Sequence, residues 1–140
     1  VDAAAALAAG ALACAAQLLG AGQAMLDTTV RYAQQRHQFG RPIGSFQAVK
    51  HQLADVRVGL DLARPLVYGA AVTMAPRDVS AAKVAAGDAA YRAARTALQV
   101  HGAIGYTAEH PLHLWLTRTR ALLTAWGTPR WHRTRILEDL

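Results

Sequence analysis

Apolar residues recur at alternating steps of four and three along residues 45–74, the spacing of one face of an α-helix. Charged and amide side chains fall off that face. Ser45 is a suitable N-cap, and Pro65 is expected to kink the helix because it removes a backbone donor. The apolar face consists of Val49, Leu53, Val56, Leu60, Ala63 and Val67.

Two more long helices are predicted on either side of this one. The first covers residues 2–36, with Asp2 as a candidate N-cap. The third covers residues 78–101 and ends at Gly102, a residue type that often terminates helices. The residues of the third helix expected to face inward are Val84, Tyr91, Ala94 and Leu98.

Two shorter helices are predicted near the C-terminus, one opening at Pro111 and one at Thr128–Pro129, because proline fits the first helical position. The stretch "GRPIG" (40–44) is predicted as loop, and no alternating strand pattern longer than about four residues occurs. The expected fold is therefore all-α, an antiparallel four-helix-type bundle of three long helices plus two shorter C-terminal ones. Residues 1–140 are expected to form one domain.

The composition supports closely packed helices in a reducing compartment. Hydrophobic residues make up 53% of the 140 residues, and much of that share is alanine. The lone Cys14 excludes an internal disulfide, fits a cytoplasmic location and is expected to be small buried filler. The run Ala3–Ala16 is apolar but poor in Leu, Ile and Val, so we expect neither a membrane span nor a signal peptide.

The formal net charge of +6 raises the possibility of nucleic-acid binding. Such proteins usually gather basic residues on one face or in a tail, whereas these arginines are spread through amphipathic helices. The sequence therefore favours a chain without a nucleic-acid partner. Steep salt dependence of an association would indicate the opposite.

The titratable residues do not form a metal site or a catalytic triad by their spacing. His110 and His113 are three apart, but Pro111 lies between them, so we expect surface or capping roles and no metal. His101, just before Gly102, is expected to complement the C-terminal charge of its helix. Composition and spacing alone indicate a helical bundle of unknown task.

Two stretches change this interpretation. "YAQQRHQFGRPIGSFQAVKHQLADV" closely resembles the helix–turn–helix signature of the C-terminal domain of acyl-CoA dehydrogenases. "ALQVHGAIGYTAEHPLHLWLTRTRALLTAWGT" resembles the later pattern of the same family, a glycine-rich loop, a proline-started helix and an "E-G-T"-like turn. Both lie in the expected order and separation, and together the 140 residues correspond to that whole domain.

The resemblance implies an FAD-dependent enzyme that α,β-dehydrogenates acyl-CoA thioesters. In such enzymes the turn between the first two helices meets the FAD of a neighbouring subunit, with an arginine against the pyrophosphate. A guanidinium suits this role because it binds phosphate bidentately. For Thr128, helix capping is an equally good interpretation and both roles can coexist. The residues that the resemblance assigns to the cofactor are Arg36, Gln38, Phe39, Gln99, Gly102, Ala103 and Thr128.

The sequence departs from the family at the catalytic base. The family's glutamate before "G-T" removes the substrate α-proton, but Trp126 stands at that position, and an indole has no basic lone pair. Some members carry the base near the start of the first helix instead, and the matching residue is Gly10. No catalytic residue is therefore predicted. Trp126 is also large enough to occupy the space of an acyl chain.

The sequence also lacks the family's N-terminal helical domain and central β domain. The chain is therefore expected to be a fragment or a subunit that assembles as a homo- or hetero-oligomer, either a dimer or a tetramer. Two interpretations remain open, a degenerate cofactor-holding subunit and an enzyme whose base comes from elsewhere. A third is a non-catalytic helical interaction module that has lost flavin chemistry.

Overall fold

A computed structural model describes residues 2–140, and Val1, the first residue of the predicted domain, lies outside the described residues. The predicted all-α bundle of three long and two shorter helices is confirmed. Only two residues separate the second and third helices, so these two run antiparallel. The elements are α1 (Ala3–Gln35), β1 (His37–Gln38), β2 (Arg41–Pro42), a 3₁₀ helix (Ile43–Ser45), α2 (Gln47–Thr73), α3 (Pro76–His101), a second 3₁₀ helix (Gly102–Tyr106), α4 (Leu112–Thr124) and α5 (Pro129–Glu138).

Several predicted helix ends are confirmed by their caps. The Asp2 carboxylate accepts hydrogen bonds from the backbone N–H groups of Ala4 and Ala5 at 3.0 and 3.4 Å. Gly102 caps α3, and its N–H donates to the Leu98 carbonyl. These contacts satisfy backbone groups that a helix end otherwise leaves unpaired.

Other predicted ends differ from the structure. Ser45 does not cap α2, because its hydroxyl donates to the Pro42 carbonyl at 2.6 Å and Phe46 precedes the helix instead. Pro65 lies inside α2, as expected, and the kink expected there stays a prediction. Helix α3 begins at Pro76 and not at Asp78, whose carboxylate accepts a hydrogen bond from the Thr73 hydroxyl.

The core lies between α1, α2 and α3, and α4 packs against α1 and α3 and adds Leu112 and Leu122 to it. The predicted apolar face of α2 is largely correct, since Val56, Leu60, Ala63 and Val67 are all buried. Tyr91 was wrongly predicted to face inward and is 51% exposed. Alanines make up seven of the twelve buried residues of α3 and let neighbouring helices approach closely. Its buried alanines are Ala82, Ala86, Ala89, Ala90, Ala93, Ala94 and Ala97.

Helix α1 is long and apolar enough to cross a membrane by length and composition alone, with a mean hydropathy of 1.7 over 18 residues. The expectation that the run Ala3–Ala16 is too weakly hydrophobic was therefore wrong on hydropathy. A core helix of a globular protein passes the same test. Here one face of α1, including Leu18 and Met25, is buried against the other helices, but only 28% of the apolar window is buried, so packing within the chain accounts for part of its apolar sequence.

Candidate functional site

Six of the seven residues assigned to a cofactor line one open cavity of about 560 Å³. The cavity lies between the end of α1, the β1–β2 hairpin, the start of α2 and the end of α3. Residues far apart in the sequence therefore share one site. The six are Arg36, Gln38, Phe39, Gln99, Gly102 and Ala103.

The hairpin at the rim of the cavity presents Phe39 to the outside. Strands β1 and β2 pair antiparallel, with Gln38 opposite Arg41. The two residues between them, Phe39 and Gly40, have φ of 54° and 78°. Positive φ at both positions is typical of the tight turn that joins two antiparallel strands, but for a residue with a side chain it costs about 1–2 kcal/mol. Phe39 is nevertheless 91% exposed, so packing within this chain does not explain its presence.

Arg36 follows α1 in an extended conformation that is fixed by its own backbone. Its N–H donates to the Tyr32 carbonyl at 2.9 Å, and its carbonyl accepts from the Ile43 N–H at 2.8 Å. Its exposed guanidinium has no carboxylate within 4.0 Å among residues 2–140. The nearby Arg41 differs, because its guanidinium lies 3.9 Å from the centre of the Phe46 ring. Arg36 is thus the hairpin arginine left available to an anion.

The cavity lining suits an anion that also carries hydrogen-bond acceptors. Among the described residues 2–140 that line it, Arg36 is the only one with a formal charge, and none carries a carboxylate. Three amide side chains join it, from Gln38, Gln52 and Gln99. Guanidinium and amide N–H groups are donors that phosphate oxygens accept well.

The far wall is the end of α3, where the chain passes beside open space. Gly102 has φ of 63°, a conformation that glycine adopts most easily. A Cβ built on Gly102 would meet nothing within 4 Å, so an external molecule can approach its backbone closely. Gln99 lies on the last turn of α3, and Ala103 follows Gly102.

His101 supports this wall from inside the fold. It is buried, and its ring stacks on Tyr32 with 4.3 Å between the ring centres. Burial lowers the pKa of His101, so the ring is neutral at neutral pH and its Nδ1–H donates to the Ala97 carbonyl at 2.8 Å. The expectation of a charged complement to the helix end was therefore wrong, because desolvation opposes the charged form.

The two positions at which the resemblance places a catalytic base lie against each other. A Cβ built on Gly10 would overlap the Trp126 indole, so the ring lies directly over Gly10 in α1. Trp126 has φ of 57° and is 51% exposed. Trp126 thus occupies one base position, and its ring lies over the other. Neither residue has a group that removes a proton.

Thr128 does not line the cavity. Its hydroxyl oxygen accepts a hydrogen bond from the Trp131 N–H at 3.2 Å and thereby caps α5. The capping interpretation is correct, and a contact of Thr128 with a cofactor stays a prediction.

Comparison with known proteins identifies the family. The model of the acyl-CoA dehydrogenase C-terminal domain matches residues 2–140. The chain belongs to the acyl-CoA dehydrogenase family.

Similar proteins are longer than this chain. Acyl-CoA dehydrogenase IpdE2 from Mycobacterium tuberculosis is 42% identical over 116 residues, which are 83% of this chain and 36% of that protein. A glutaryl-CoA dehydrogenase structure in complex with glutaryl-CoA superposes with a TM-score of 0.93 and 32% identity, covering 97% of this chain and 36% of the other. The ChsE4–ChsE5 complex from Mycobacterium tuberculosis gives a TM-score of 0.84 and 34% identity, covering 92% and 36%. The chain therefore spans about a third of the length of these relatives.

Sequence reasoning missed some residues of this acyl-CoA dehydrogenase domain that the fold brings to the cavity. Tyr32, Phe46 and Gln52 line it beside the assigned residues. Tyr32 lies one helical turn before Arg36, and this spacing is a signal from which it could have been predicted.

Proposed function

We propose that this chain is the cofactor-binding and oligomer-forming domain of an FAD-dependent oxidoreductase that α,β-dehydrogenates acyl-CoA thioesters. The observation that carries the proposal is the joint lining of one cavity by an unpaired arginine, three amides and the backbone of Gly102. Membership of a family of flavoproteins supports the choice of FAD.

The residues present fit a dinucleotide. Arg36 would bind the pyrophosphate through parallel N–H groups, and the amides of Gln38 and Gln99 would donate to further oxygens. Gly102 and Ala103 leave the backbone accessible, and exposed Phe39 would pack on a flat ring of the cofactor. When bound, FAD supplies the capacity to accept a hydride from the substrate β-carbon.

This chain's own contribution would be binding and orientation, because it offers no base at the two positions used in the family. Trp126 has an N–H donor only, and Gly10 has no side chain. The α-proton of a thioester is weakly acidic, so its removal requires a positioned basic group. In the complete enzyme that group would come from outside these residues.

A second polypeptide is one source of the missing base. The relative solved as a ChsE4–ChsE5 complex contains two differently named chains, which supports a heteromeric assembly for this protein too. Isolation of the protein with its partners from its host would test this. A fully active assembly that contains only this gene's product would contradict the heteromer.

The alternative from another class is a helical interaction module without flavin chemistry. The observation in its favour is the Trp126 ring lying over Gly10, since both base positions are then lost together. The two functions differ in whether the cavity at the hairpin retains a ligand.

The proposed function is tested by comparing FAD binding in two variants, each of which lacks one arginine. FAD is titrated into the purified protein, with any copurifying subunit, and its absorbance and fluorescence are followed. Arg36→Ala is expected to weaken binding because it removes the only charged group of the lining. Arg31→Ala is the matched control, since Arg31 is an exposed arginine of α1, the helix that precedes Arg36, and does not line the cavity. Equal retention by both variants would exclude the role of Arg36.

A further inference from the structure

A buried polar network lies beneath the turn that carries Trp126. His132 on α5 is 1% exposed, and its Nε2 donates to the Trp126 carbonyl at 3.0 Å. Its Nδ1 is 2.9 Å from the hydroxyl of Ser80 on α3, which is 2% exposed. With Nε2 protonated, Nδ1 accepts from the Ser80 hydroxyl, so a single neutral tautomer satisfies both contacts. The imidazole thus connects α3 to the turn between α4 and α5.

Lys83 adds a second connection from the same helix. It is 3% exposed, and its Nζ donates to the carbonyls of Leu123 and Gly127, both at 3.2 Å. Among residues 2–140 it is the only buried lysine or arginine, and no carboxylate pairs with it. Burying an ammonium group is costly unless hydrogen bonds compensate, and here backbone carbonyls provide them. Both carbonyls that compensate the buried charge lie at or beside the turn between α4 and α5.

The turn itself has a backbone that needs such support. Trp126 and Gly127 are consecutive residues with φ of 57° and 108°. Positive φ costs free energy for a residue with a side chain, and it persists where the surroundings enforce it. A Cβ on Gly127 would lie 2.6 Å from Nε2 of His132 and 2.8 Å from the Trp131 ring, so only glycine fits between them. Donors from Lys83 and His132 therefore reach the carbonyls of both residues of this strained segment, and Lys83 also reaches the Leu123 carbonyl before it.

We infer that Lys83, His132 and Ser80 are positioning residues that hold the Trp126 indole over Gly10. The network acts through the carbonyls of residues 123, 126 and 127, and it does not touch the indole itself. The direction of the side chain at position 126 is thus set by buried groups of α3 and α5. This inference concerns contacts within the chain and does not depend on FAD binding or on the proposed dehydrogenation.

The arrangement has a consequence for the site. With the carbonyls of residues 123, 126 and 127 held by the network, Trp126 forms a fixed wall over the position where the base would stand. The wall is half exposed and flat, so it limits what can occupy the adjoining space. The buried network thus determines the position of the Trp126 ring, and the ring forms the surface over Gly10.

Tryptophan fluorescence of the 140-residue chain tests the inference. Replacing Trp115 and Trp131 by phenylalanine leaves Trp126 as the only tryptophan. In this background a held indole shows little fast anisotropy decay, whereas a released one shows the picosecond-to-nanosecond motion of an exposed side chain. His132→Phe removes both ring nitrogens while keeping a ring, and Lys83→Met removes the ammonium group at similar length.

Both variants are expected to add a fast anisotropy component and to increase quenching of Trp126 by acrylamide. His132→Gln retains an amide donor for the Trp126 carbonyl and should restore part of the slow component. Lys50→Met is the matched control, because Lys50 is exposed and is the only other lysine. Circular dichroism and the thermal midpoint establish which variants are folded.

The inference is overturned if folded His132→Phe and Lys83→Met proteins show the anisotropy decay of the parent. If either variant fails to fold, Ser80→Ala decides, because it removes one hydroxyl and leaves the ring and the ammonium group in place. A decay unchanged in Ser80→Ala would then contradict the network's role. An equal change in Lys50→Met would also contradict it, since that lysine lies outside the network.

Discussion

Phe39 combines two properties that a folded chain normally avoids in one residue, a left-handed backbone and a side chain that is 91% exposed. Its ring makes an edge contact with Phe46, with 6.2 Å between the ring centres. Strained backbone tends to occur at functional sites. At the scale of the residue, this is the feature that points most directly to an external ligand.

Phe39→Gly separates the ligand role from the fold. Glycine relieves about 1–2 kcal/mol of left-handed strain but adds about 0.5–1 kcal/mol of chain entropy, so the free energy of unfolding should change little. FAD affinity should fall because the aromatic surface is lost. Titration of FAD and denaturant unfolding measure the two effects.

Met74→Gly is a matched control for this prediction. Met74 also has positive φ, at 51°, but it ends α2 and does not line the cavity. Its replacement should leave FAD affinity unchanged. If Phe39→Gly also retains full affinity, the aromatic ring has no part in binding.

The end of α3 and the start of α5 each contain a buried histidine, and these elements make the fold sensitive to acid. Burial lowers the pKa of His101 and of His132, and nearby Lys83 and Arg135 lower that of His132 further. The unfolded chain, with histidine pKa values near about 6.5, then binds more protons than the folded chain as pH falls. The contribution of these two neutral histidines to the free energy of unfolding is therefore fully present above that pH and is lost as the pH falls below it.

The free energy of unfolding should decrease between about pH 7 and about pH 5, by at most about 1.4 kcal/mol per pH unit for each histidine. Denaturant titration at a series of pH values measures this slope. His132→Gln should reduce the slope, because it removes one of the two buried imidazoles. A slope unchanged by His132→Gln would show that this histidine does not titrate with unfolding.

The sequence predicted the elements better than the contacts between them. The four-three spacing of α2 identified Val56 and Leu60 as buried, because the apolar residues of a long amphipathic helix lie on the side that faces the core. In α3 the buried positions are mostly small alanines, so choosing the larger apolar residue Tyr91 as an inward one was the error. The burial of Lys83 and the contact of Trp126 with Gly10 depend on helix packing, so no local pattern indicates them.

At the scale of the whole molecule, several large hydrophobic residues remain exposed. The outward side of α2 carries several exposed large hydrophobic residues, and such patches often mark interfaces. This is consistent with the proposed role of the domain in oligomer formation. The residues are Val58, Leu62, Leu66, Tyr68 and Val72.

Leu62→Glu is expected to weaken self-association of the domain, because it places a charge in the centre of this apolar side of α2. Analytical ultracentrifugation measures the change in mass. Leu137→Glu is a matched control, since both leucines are 69% exposed and Leu137 lies on α5. Loss of the oligomer with Leu137→Glu alone would place the interface elsewhere.

The central claim is that the β1–β2 hairpin holds a flavin dinucleotide, and a structure of the assembled protein with excess FAD tests it most directly. The account predicts pyrophosphate oxygens within hydrogen-bond distance of the Arg36 guanidinium and a cofactor ring against Phe39. An intact assembly whose hairpin faces only bulk water at saturating FAD would contradict it.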